Sequence, residues 1–314
     1  DVPTNNCIIQ ILVRSYIPLI DIGPNHWKDH FDQRFRRELA EFSRIIDREG
    51  EGSLTRALNK FNRWEEAFDL IFDATKNSFD VVPKNWGEEV ALLPTGLPAY
   101  IDMWAMGKNF KVLPYLKFQV GKFLLDFILA NQLEVDCVVE IGSGWGRNLF
   151  DLWNEGISPK IDLFSAENSK WGHKITRKLS ALDPKISVKP VSFDIQQPDF
   201  NFLTSKKRIL YFTHFAMMYV SELDEEFFEE MLRASNELTC IHLEPMNFQI
   251  SSAKGHVSLV QSVEASLRNF NRNLLDMLSR LESRGFINLT HVYKELIPTR
   301  DRAHSMSVFV WKKI

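Results

Sequence analysis

The spacing of apolar residues divides the chain into two parts with different periodicities. Between residues 26 and 131, apolar positions recur every three or four residues, which is typical of amphipathic helices. The clearest helix spans Trp27 to Arg48, and its apolar positions are Phe31, Phe35, Leu39, Phe42 and Ile46. The pattern also predicts helices over 54–74 and 115–130, separated by a loop rich in proline and glycine at 82–98. The first 130 residues are therefore expected to be largely helical.

After residue 131, short β-branched runs alternate with helical stretches. The predicted strands cover 138–141, 161–165, 186–193, 208–213, 238–243, 286–293 and 306–311, and the predicted helices cover 147–154, 170–182, 224–234 and 257–283. Such alternation forms βαβ units, which build a mainly parallel sheet with helices on both faces. No helix separates the last two strands, so one of them is expected to run antiparallel. We therefore predict a doubly wound α/β domain over residues 131–314, after a helical region over residues 1–130.

Composition and charge exclude several classes of protein. Hydrophobic residues make up 45% of the 314 residues and charged residues 25%, which is typical of a globular protein rather than a disordered one. A formal net charge of -3 argues against broad binding to nucleic acid or to an anionic membrane. The three cysteines lack CxxC spacing, so neither a disulfide framework nor structural zinc is expected, and a reducing, cytoplasmic location fits best. No membrane span is expected.

The most informative segment is the run from Val139 to Gly146, which reads Val-Glu-Ile-Gly-Ser-Gly-Trp-Gly. It follows a predicted strand and opens a predicted helix, where glycines allow a tight turn and let a ligand lie against backbone N–H groups. The spacing is G-x-G-x-G, and not the G-x-G-x-x-G of dinucleotide-binding loops. Glu140, shortly before the first glycine, would repel a pyrophosphate but attract a cation. A glycine loop alone also fits an ordinary strand-to-helix turn.

Two further acids follow the next two predicted strands. Glu167 comes after the second strand of the domain, where a carboxylate can accept hydrogen bonds from both hydroxyls of a ribose. Asp194 comes after the third strand, where it can accept from an adenine amino group while Phe193 and Ile195 cover the ring. Either acid alone also fits a solvated loop or a helix cap. Together with Glu140, they favour S-adenosylmethionine, which carries a sulfonium and an ammonium but no phosphate.

Residues 131–314 resemble the class I, Rossmann-like S-adenosylmethionine-dependent methyltransferases. The resemblance rests on the order of strands, on the glycine loop and on the three acids. It implies a seven-stranded sheet with a reversed last hairpin. It also implies that the cofactor contacts are Glu140, Gly142, Ser143, Gly144, Gly146, Glu167, Phe193, Asp194 and Ile195. The run from Glu140 to Arg147 is faintly similar to methyltransferases of sugar and polysaccharide pathways.

The acceptor of such an enzyme is expected beyond the carboxyl ends of the strands, where ligands of open α/β sheets bind. The acceptor must lie in line with the sulfonium methyl, and a hydroxyl acceptor also needs a base. His214, after the fourth strand, is the first candidate, because the pKa of an unperturbed histidine, about 6.5, suits a base near neutral pH. His304 in the last hairpin and Glu244 after the fifth strand are the others. Each also fits a structural polar residue at a strand end.

Four more residues are candidates for binding the acceptor. Arg300 and Arg302, between the last two strands, fit a phosphate or carboxylate on the acceptor, although a solvated basic turn fits equally well. Tyr100 and Trp104 fit stacking on a sugar or aromatic ring, but aromatic residues of a helical region more often belong to the core. No His, Cys, Asp and Glu residues have metal-ligand spacing, so no metal is expected.

The predicted function is S-adenosylmethionine-dependent methyl transfer to a small molecule or glycan, at oxygen. Residues 213–216, Thr-His-Phe-Ala, replace the Asn/Asp-Pro-Pro-Tyr/Phe motif of many methyltransferases of nucleic-acid bases, so no nucleic-acid acceptor is expected. A methyltransferase of proteins or peptides, acting at nitrogen, is the alternative. A non-catalytic binding protein with this fold is a further alternative, against which the intact acids weigh. The N-terminal region is expected to cover the acceptor pocket.

Overall fold

The computed structural model describes residues 26–49, 53–73, 76, 78–85, 93, 98–106, 108–112, 118–203, 208–250, 255–297, 299 and 304–314. Its helices are α1 His26–Glu49, α2 Leu54–Ala67, α3 Val120–Ala130, α4 Arg147–Asn154, α5 Lys170–Ser180, α6 Glu225–Ala234, α7 His256–Leu267 and α8 Leu274–Ser283. Its strands are β1 Phe68–Asp73, β2 Ser78–Pro83, β3 Ile101–Ala105, β4 Lys108–Val112, β5 Cys137–Ile141, β6 Asp162–Glu167, β7 Val188–Ser192, β8 Arg208–His214, β9 Glu237–Glu244, β10 Ile287–Ile297 and β11 Met306–Lys313. Among these helices, none combines the length and apolar composition of a bilayer-spanning segment.

A seven-stranded sheet forms the centre of the fold, in the order β10-β11-β9-β8-β5-β6-β7. The strands from β5 to β9 pair in parallel, whereas β11 runs antiparallel to both β9 and β10. This confirms the mainly parallel sheet with a reversed last hairpin. The chain builds outward from β5 in one direction through β6 and β7, and then in the other through β8 and β9. The strand order therefore reverses beside β5, and ligands of open α/β sheets bind at such a point.

Helices cover both faces of this sheet, as the apolar strand runs predict. Every residue of Cys137–Ile141 is buried, which is typical of a parallel strand enclosed from both sides. Successive side chains of a strand point to opposite faces. Accordingly, Val138 belongs to one cluster of buried apolar side chains and Val139 to the other. The fold is therefore doubly wound.

Helices α1 and α2 share the core on one of these faces. Phe42 of α1 is fully buried, and its ring stacks on Phe61 of α2 with the ring centroids 4.1 Å apart. Trp145, in the glycine loop, meets both rings edge to face at centroid distances of 5.0 and 5.8 Å. The same cluster includes Val138 and Leu210 of the sheet. The N-terminal helices and the sheet thus form one continuous core across residue 130.

The N-terminal region also contains strands where the sequence pattern predicts helix or loop. The helix predicted over 54–74 ends at Ala67, and Phe68–Asp73 instead pairs with Ser78–Pro83 as an antiparallel hairpin. A second hairpin joins Ile101–Ala105 to Lys108–Val112. Apolar runs of this length fit a strand and a helical turn equally well, so pairing in the folded chain decides between them.

The single helix predicted over 257–283 is two helices, α7 and α8. Asn269 has a left-handed φ of 52°, which cannot continue a right-handed helix. The side-chain oxygen of Asn271 then accepts hydrogen bonds from the backbone N–H groups of Asn273 and Leu274 and so caps the start of α8. The apolar period runs through this break, which is why periodicity alone did not reveal it.

The shared core makes a prediction about stability. Phe42→Ala is expected to lower the free energy of unfolding by about 3–5 kcal/mol, because it opens a cavity between α1, α2 and the glycine loop. Leu129→Ala is the control, since Leu129 is 64% exposed, and its effect should stay within about 0.5 kcal/mol. Urea unfolding followed by fluorescence and circular dichroism measures both. A loss below about 1 kcal/mol for Phe42→Ala would show that the N-terminal helices are not part of a common core.

Candidate functional site

The turn between β5 and α4 has a backbone that requires glycine. Gly142, Gly144 and Gly146 have φ values of 66°, 59° and 79°, in the left-handed region that other residues enter only with strain. Space is limited as well. A Cβ on Gly142 would lie 2.5 Å from the Cβ of Ala216, and one on Gly144 would lie 2.9 Å from the ring of Phe35. Conformation and close approach therefore both exclude a side chain here. Between the first two glycines, the hydroxyl of Ser143 forms a hydrogen bond with the hydroxyl of Ser165 in β6, with the two oxygens 2.7 Å apart.

Glu140 lies in β5 directly before this loop and is only 2% exposed. Asn148 Nδ2 donates a hydrogen bond to its Oε1 at 2.5 Å. Its Oε2 is buried and has no hydrogen-bond partner among the described residues. Burial raises the pKa of Glu140 to about 8, outweighing the hydrogen bond from Asn148, which lowers it. A buried carboxyl group with a spare oxygen is suited to a cationic ligand, which would favour its ionised form.

Glu167, the last residue of β6, is bonded to the backbone of the loop. Its Oε2 accepts from the N–H of Gly144 at 2.8 Å, and its Oε1 accepts from the N–H groups of Asn168 and Ser169, each at 2.9 Å. Burial raises the pKa of Glu167, although these three N–H groups act in the opposite direction. The carboxylate is therefore held against the glycine loop in one orientation.

Asp194 follows β7, the next strand of the sheet. Its Oδ2 accepts from the side-chain amide of Asn168 at 2.9 Å, and its Oδ1 accepts from the N–H of Gln196 at 3.0 Å. Beside it, Phe193 is buried and Ile195 packs against the same apolar cluster. Asn168 thus connects the acid after β7 to the turn after β6. The structure brings all three acids to one edge of the sheet.

Helix α5 approaches the loop at a position that the sequence reading missed. A Cβ on Gly172 would lie 2.4 Å from the carbonyl oxygen of Gly144, so only glycine fits in this first turn of the helix. The next residue, His173, donates through Nε2 to the carbonyl oxygens of Glu167 and Val191, at 2.8 and 3.0 Å. A glycine in the first turn of a predicted helix is the signal that identifies such an approach.

Helix α1 crosses the carboxyl edge of the sheet. Asp32 accepts a hydrogen bond from the hydroxyl of Ser169, at the start of α5. The residue before it, Phe31, meets Tyr219, which follows β8, with ring centroids 4.8 Å apart. One turn further along the helix, Phe35 lies against the glycine loop. The apolar stripe of α1 predicts a buried face, but only the fold shows that this face lies against the glycine loop.

His214 ends β8, on the opposite side of β5 from Glu167. Its Nδ1 lies 3.3 Å from Asn148 Nδ2. Among the described residues, its other ring nitrogen, Nε2, has no hydrogen-bond partner. Burial, together with the positive charge of Arg147, lowers the pKa of His214 to about 4. The ring is therefore uncharged at neutral pH.

The two candidate histidines, His214 and His304, contact the same residue, Phe215. The ring of Phe215 lies 4.8 Å from the ring of His214 and 5.8 Å from the ring of His304, measured between centroids. Phe215 follows β8 with a left-handed φ of 51°, which turns the chain at the end of the strand. The loop of the last hairpin and the end of β8 thus meet through this one ring.

Glu244, the third candidate base, is committed to holding a turn. The carboxylate accepts hydrogen bonds from the N–H groups of Ala216, Met217 and Met218, at 3.0, 3.0 and 3.3 Å. It is fully buried, and burial raises its pKa to about 7 despite these donors. Both oxygens accept from the backbone after β8, so the contacts of Glu244 hold this turn, and its role as a base stays a prediction.

The structure describes two of the four remaining candidates. Trp104 is in β3 and lines a cleft of about 310 Å³ beside the start of α7. Tyr100 precedes β3, and the ammonium of Lys111 lies 4.2 Å from its ring centroid. Arg300 and Arg302 lie outside the described residues. In the part of the chain that the structure describes, His, Cys, Asp and Glu side chains nowhere form a group of three that could hold a metal ion.

Comparison with known proteins extends the description of the fold only. No protein-family model matches this chain, and no curated protein matches it significantly. Among solved structures, it is similar to an S-adenosylmethionine-dependent methyltransferase from Aquifex aeolicus, with 16% identity over 63% of this chain and 90% of that one, and a TM-score of 0.39. It is also similar to the plantazolicin methyltransferase BpumL in complex with SAH, with 14% identity over 62% and 82% of the two chains and a TM-score of 0.41.

A third similar structure, EvdMO1, is 15% identical over 62% of this chain, with a TM-score of 0.39. The chain spans only 40% of the length of EvdMO1. Similarities at this level carry no argument about activity. The fold assignment rests on the strand order, because a mainly parallel seven-stranded sheet with a reversed last hairpin is what the resemblance to class I methyltransferases implies.

The raised pKa of Glu140 predicts how stability depends on pH. The folded protein keeps a proton on this carboxyl up to a pH of about 8, whereas the unfolded chain releases it near 4.5. The free energy of unfolding therefore falls as the pH rises through this window. Glu140→Gln removes the titration and keeps an acceptor for Asn148. The variant is expected to be more stable than the wild type at pH 8 by about 1–3 kcal/mol, and similar to it near pH 5.

Urea unfolding across this pH range measures the difference. Glu222→Gln is the matched control, because it removes a carboxyl that is exposed, and its pH dependence should follow the wild type. Glu244 also contributes to the slope and is retained in both variants. If Glu140→Gln left the pH dependence unchanged, Glu140 would have to be ionised in the folded protein at neutral pH.

Proposed function

We propose that this protein is an S-adenosylmethionine-dependent methyltransferase that acts at oxygen on a small molecule or glycan. The observation that carries the proposal is the gathering of three acids around one glycine loop, where the strand order of the sheet reverses. Glu140 lies before the loop and Glu167 binds its backbone. Asp194 is linked to the turn after β6 through Asn168. Such a crevice is where open α/β sheets bind their ligands.

The residues fit S-adenosylmethionine better than a dinucleotide. The buried Oε2 of Glu140, without a partner among the described residues, suits the ammonium and sulfonium charges and would oppose a pyrophosphate. We assign Glu167 to the ribose hydroxyls and Asp194, with Phe193 and Ile195, to the adenine. Bound there, S-adenosylmethionine supplies a methyl group activated by its sulfonium. The work left to the protein is to hold an acceptor in line with that methyl.

We assign His214 and His304 to the acceptor. Both rings contact Phe215 at the carboxyl edge of the sheet, and His214 is connected to Glu140 through Asn148. A hydroxyl keeps its proton at neutral pH, so it needs groups that orient it and receive that proton. Helix α1 is proposed to close this pocket. Direct contacts of the acceptor with Tyr100, Trp104, Arg300 and Arg302 stay predictions.

The first test is ligand choice. The full chain is expected to bind S-adenosylmethionine and S-adenosylhomocysteine, and to show no binding of NAD at the same concentrations. Isothermal titration calorimetry measures all three. Glu140→Lys serves as the internal control, because a cation beside the methionine part should abolish binding of both sulfur nucleosides. Binding of NAD without binding of S-adenosylhomocysteine would refute the proposed function.

The second test separates the two nucleoside acids. Glu167→Ala is expected to weaken the binding of S-adenosylhomocysteine at least tenfold, or about 1.4 kcal/mol, because it removes both the ribose acceptor and the partner of the Gly144 N–H. Asp194→Ala should cost less, since one adenine amino group is its expected partner. Asp183→Ala, in a turn after α5, is the control. Unchanged affinity in Glu167→Ala would mean that the ribose binds elsewhere.

A further inference from the structure

Asn148, in the first turn of α4, stands between the cofactor side and the acceptor side of the proposed site. Its Nδ2 lies 2.5 Å from Glu140 Oε1 and 3.3 Å from His214 Nδ1. The side chain is largely withdrawn from water, with the residue 8% exposed. An amide nitrogen carries two hydrogens, so Asn148 can donate to both neighbours at once.

The chemistry of the amide determines the direction of the bond to His214. The amide nitrogen has hydrogens to give and no lone pair to offer, so His214 Nδ1 is the acceptor and carries no proton. Turning the amide round would set its carbonyl oxygen against Glu140 Oε1, two acceptors facing each other whenever the carboxyl is ionised. A cation bound beside Glu140 favours that ionised form. When it is ionised, Glu140 therefore holds Asn148 in the orientation that donates to His214.

We propose that Asn148 is a positioning residue that fixes His214 as the Nε2–H tautomer, so that His214 donates a hydrogen bond to the acceptor instead of removing its proton. A neutral imidazole has one proton for two nitrogens, and with Nδ1 accepting from Asn148 that proton is on Nε2. Among the described residues Nε2 has no partner, which leaves its N–H for a ligand. A general base needs a lone pair at that atom, and this tautomer has none.

This inference rests on the proposed function for the identity of the ligand, but not for the position of the proton. An acceptor oxygen would be held through one of its lone pairs by His214. The hydroxyl proton must then leave to a different group. Of the two histidines that contact the Phe215 ring, His304 is then the one assigned to receive it. The two histidines would thus divide orientation and proton removal between them.

Nuclear magnetic resonance of the full chain labelled with ¹⁵N-histidine reports the tautomer directly. Long-range ¹H–¹⁵N correlation shows which ring nitrogen carries the proton, and the spectrum of His214→Gln identifies the His214 signals. The wild type is expected to show a protonated Nε2 and an unprotonated Nδ1 when Glu140 is ionised, that is, with saturating S-adenosylhomocysteine at neutral pH or, without ligand, above a pH of about 8. This measurement needs no variant at Asn148 and no known acceptor.

Variants at Asn148 test the cause. In Asn148→Asp the ionised carboxylate offers only lone pairs, so the proton of His214 should move to Nδ1 and the pKa of His214 should rise. Glu140, whose pKa is already raised, can hold the proton that two adjacent carboxyls require. Asn148→Ala should give mixed tautomers. Asn154→Ala is the matched control on the same helix, because Asn154 bonds to Thr55 instead, and it should keep the wild-type tautomer.

An Nδ1–H tautomer in the wild type, or an unchanged tautomer in Asn148→Asp, would overturn the proposal. Calorimetric titration of the same samples with S-adenosylhomocysteine keeps the two hypotheses apart. The expected tautomer without nucleoside binding would refute the methyltransferase function and leave the role of Asn148 in fixing the proton. Nucleoside binding together with the opposite tautomer would refute this inference alone.

Discussion

The close approach of backbone segments at the loop between β5 and α4 is the constraint on which the rest of the structure depends. Left-handed glycines let the chain turn directly after a buried strand. The missing side chains let Phe35, Ala216 and the first turn of α5 come against the loop. A β-carbon at Gly142 or Gly172 would push these elements apart. Helices from the N-terminal region and strand ends from the sheet therefore meet on a few backbone atoms, and the acids gather around the same atoms.

Burying acids beside this backbone lowers the stability of the free protein but favours the binding of a cationic ligand. Burial raises the pKa of Glu140 to about 8 and that of Glu244 to about 7. Glu244 is compensated by three backbone N–H groups, whereas Glu140 receives one side-chain donor and keeps a buried oxygen without a partner among the described residues. An uncompensated buried carboxyl disfavours folding when it ionises. A ligand of opposite charge offsets that cost of ionisation. The same buried carboxyl that lowers the stability of the free protein therefore favours the binding of a cationic ligand.

Local signals account for most of the elements after residue 131. Buried parallel strands are continuous apolar runs, and the helices between them are amphipathic. Both patterns depend only on residues that are close together in the sequence. The helix Arg147–Asn154 begins and ends where its pattern predicts, and the strands differ from prediction by a few residues at their ends. The pattern failed where one run fits two structures. Phe68–Asp73 pairs in a hairpin instead of extending α2, and Asn269 interrupts the long helix predicted near the C-terminus.

The sequence by itself determined which residue types stand at the strand ends, because the carboxyl ends of parallel strands share one edge and each acid lies at or just after the end of a recognisable strand. Only the tertiary structure decided what those residues do. It engages Glu244 with the backbone after a neighbouring strand, and it sets Asn148 between Glu140 and His214. Such hydrogen bonds depend on a few ångströms between elements far apart in the chain. Residue type and periodicity carry no information at that scale, so the roles of the acids and histidines were decided by the packing of the fold.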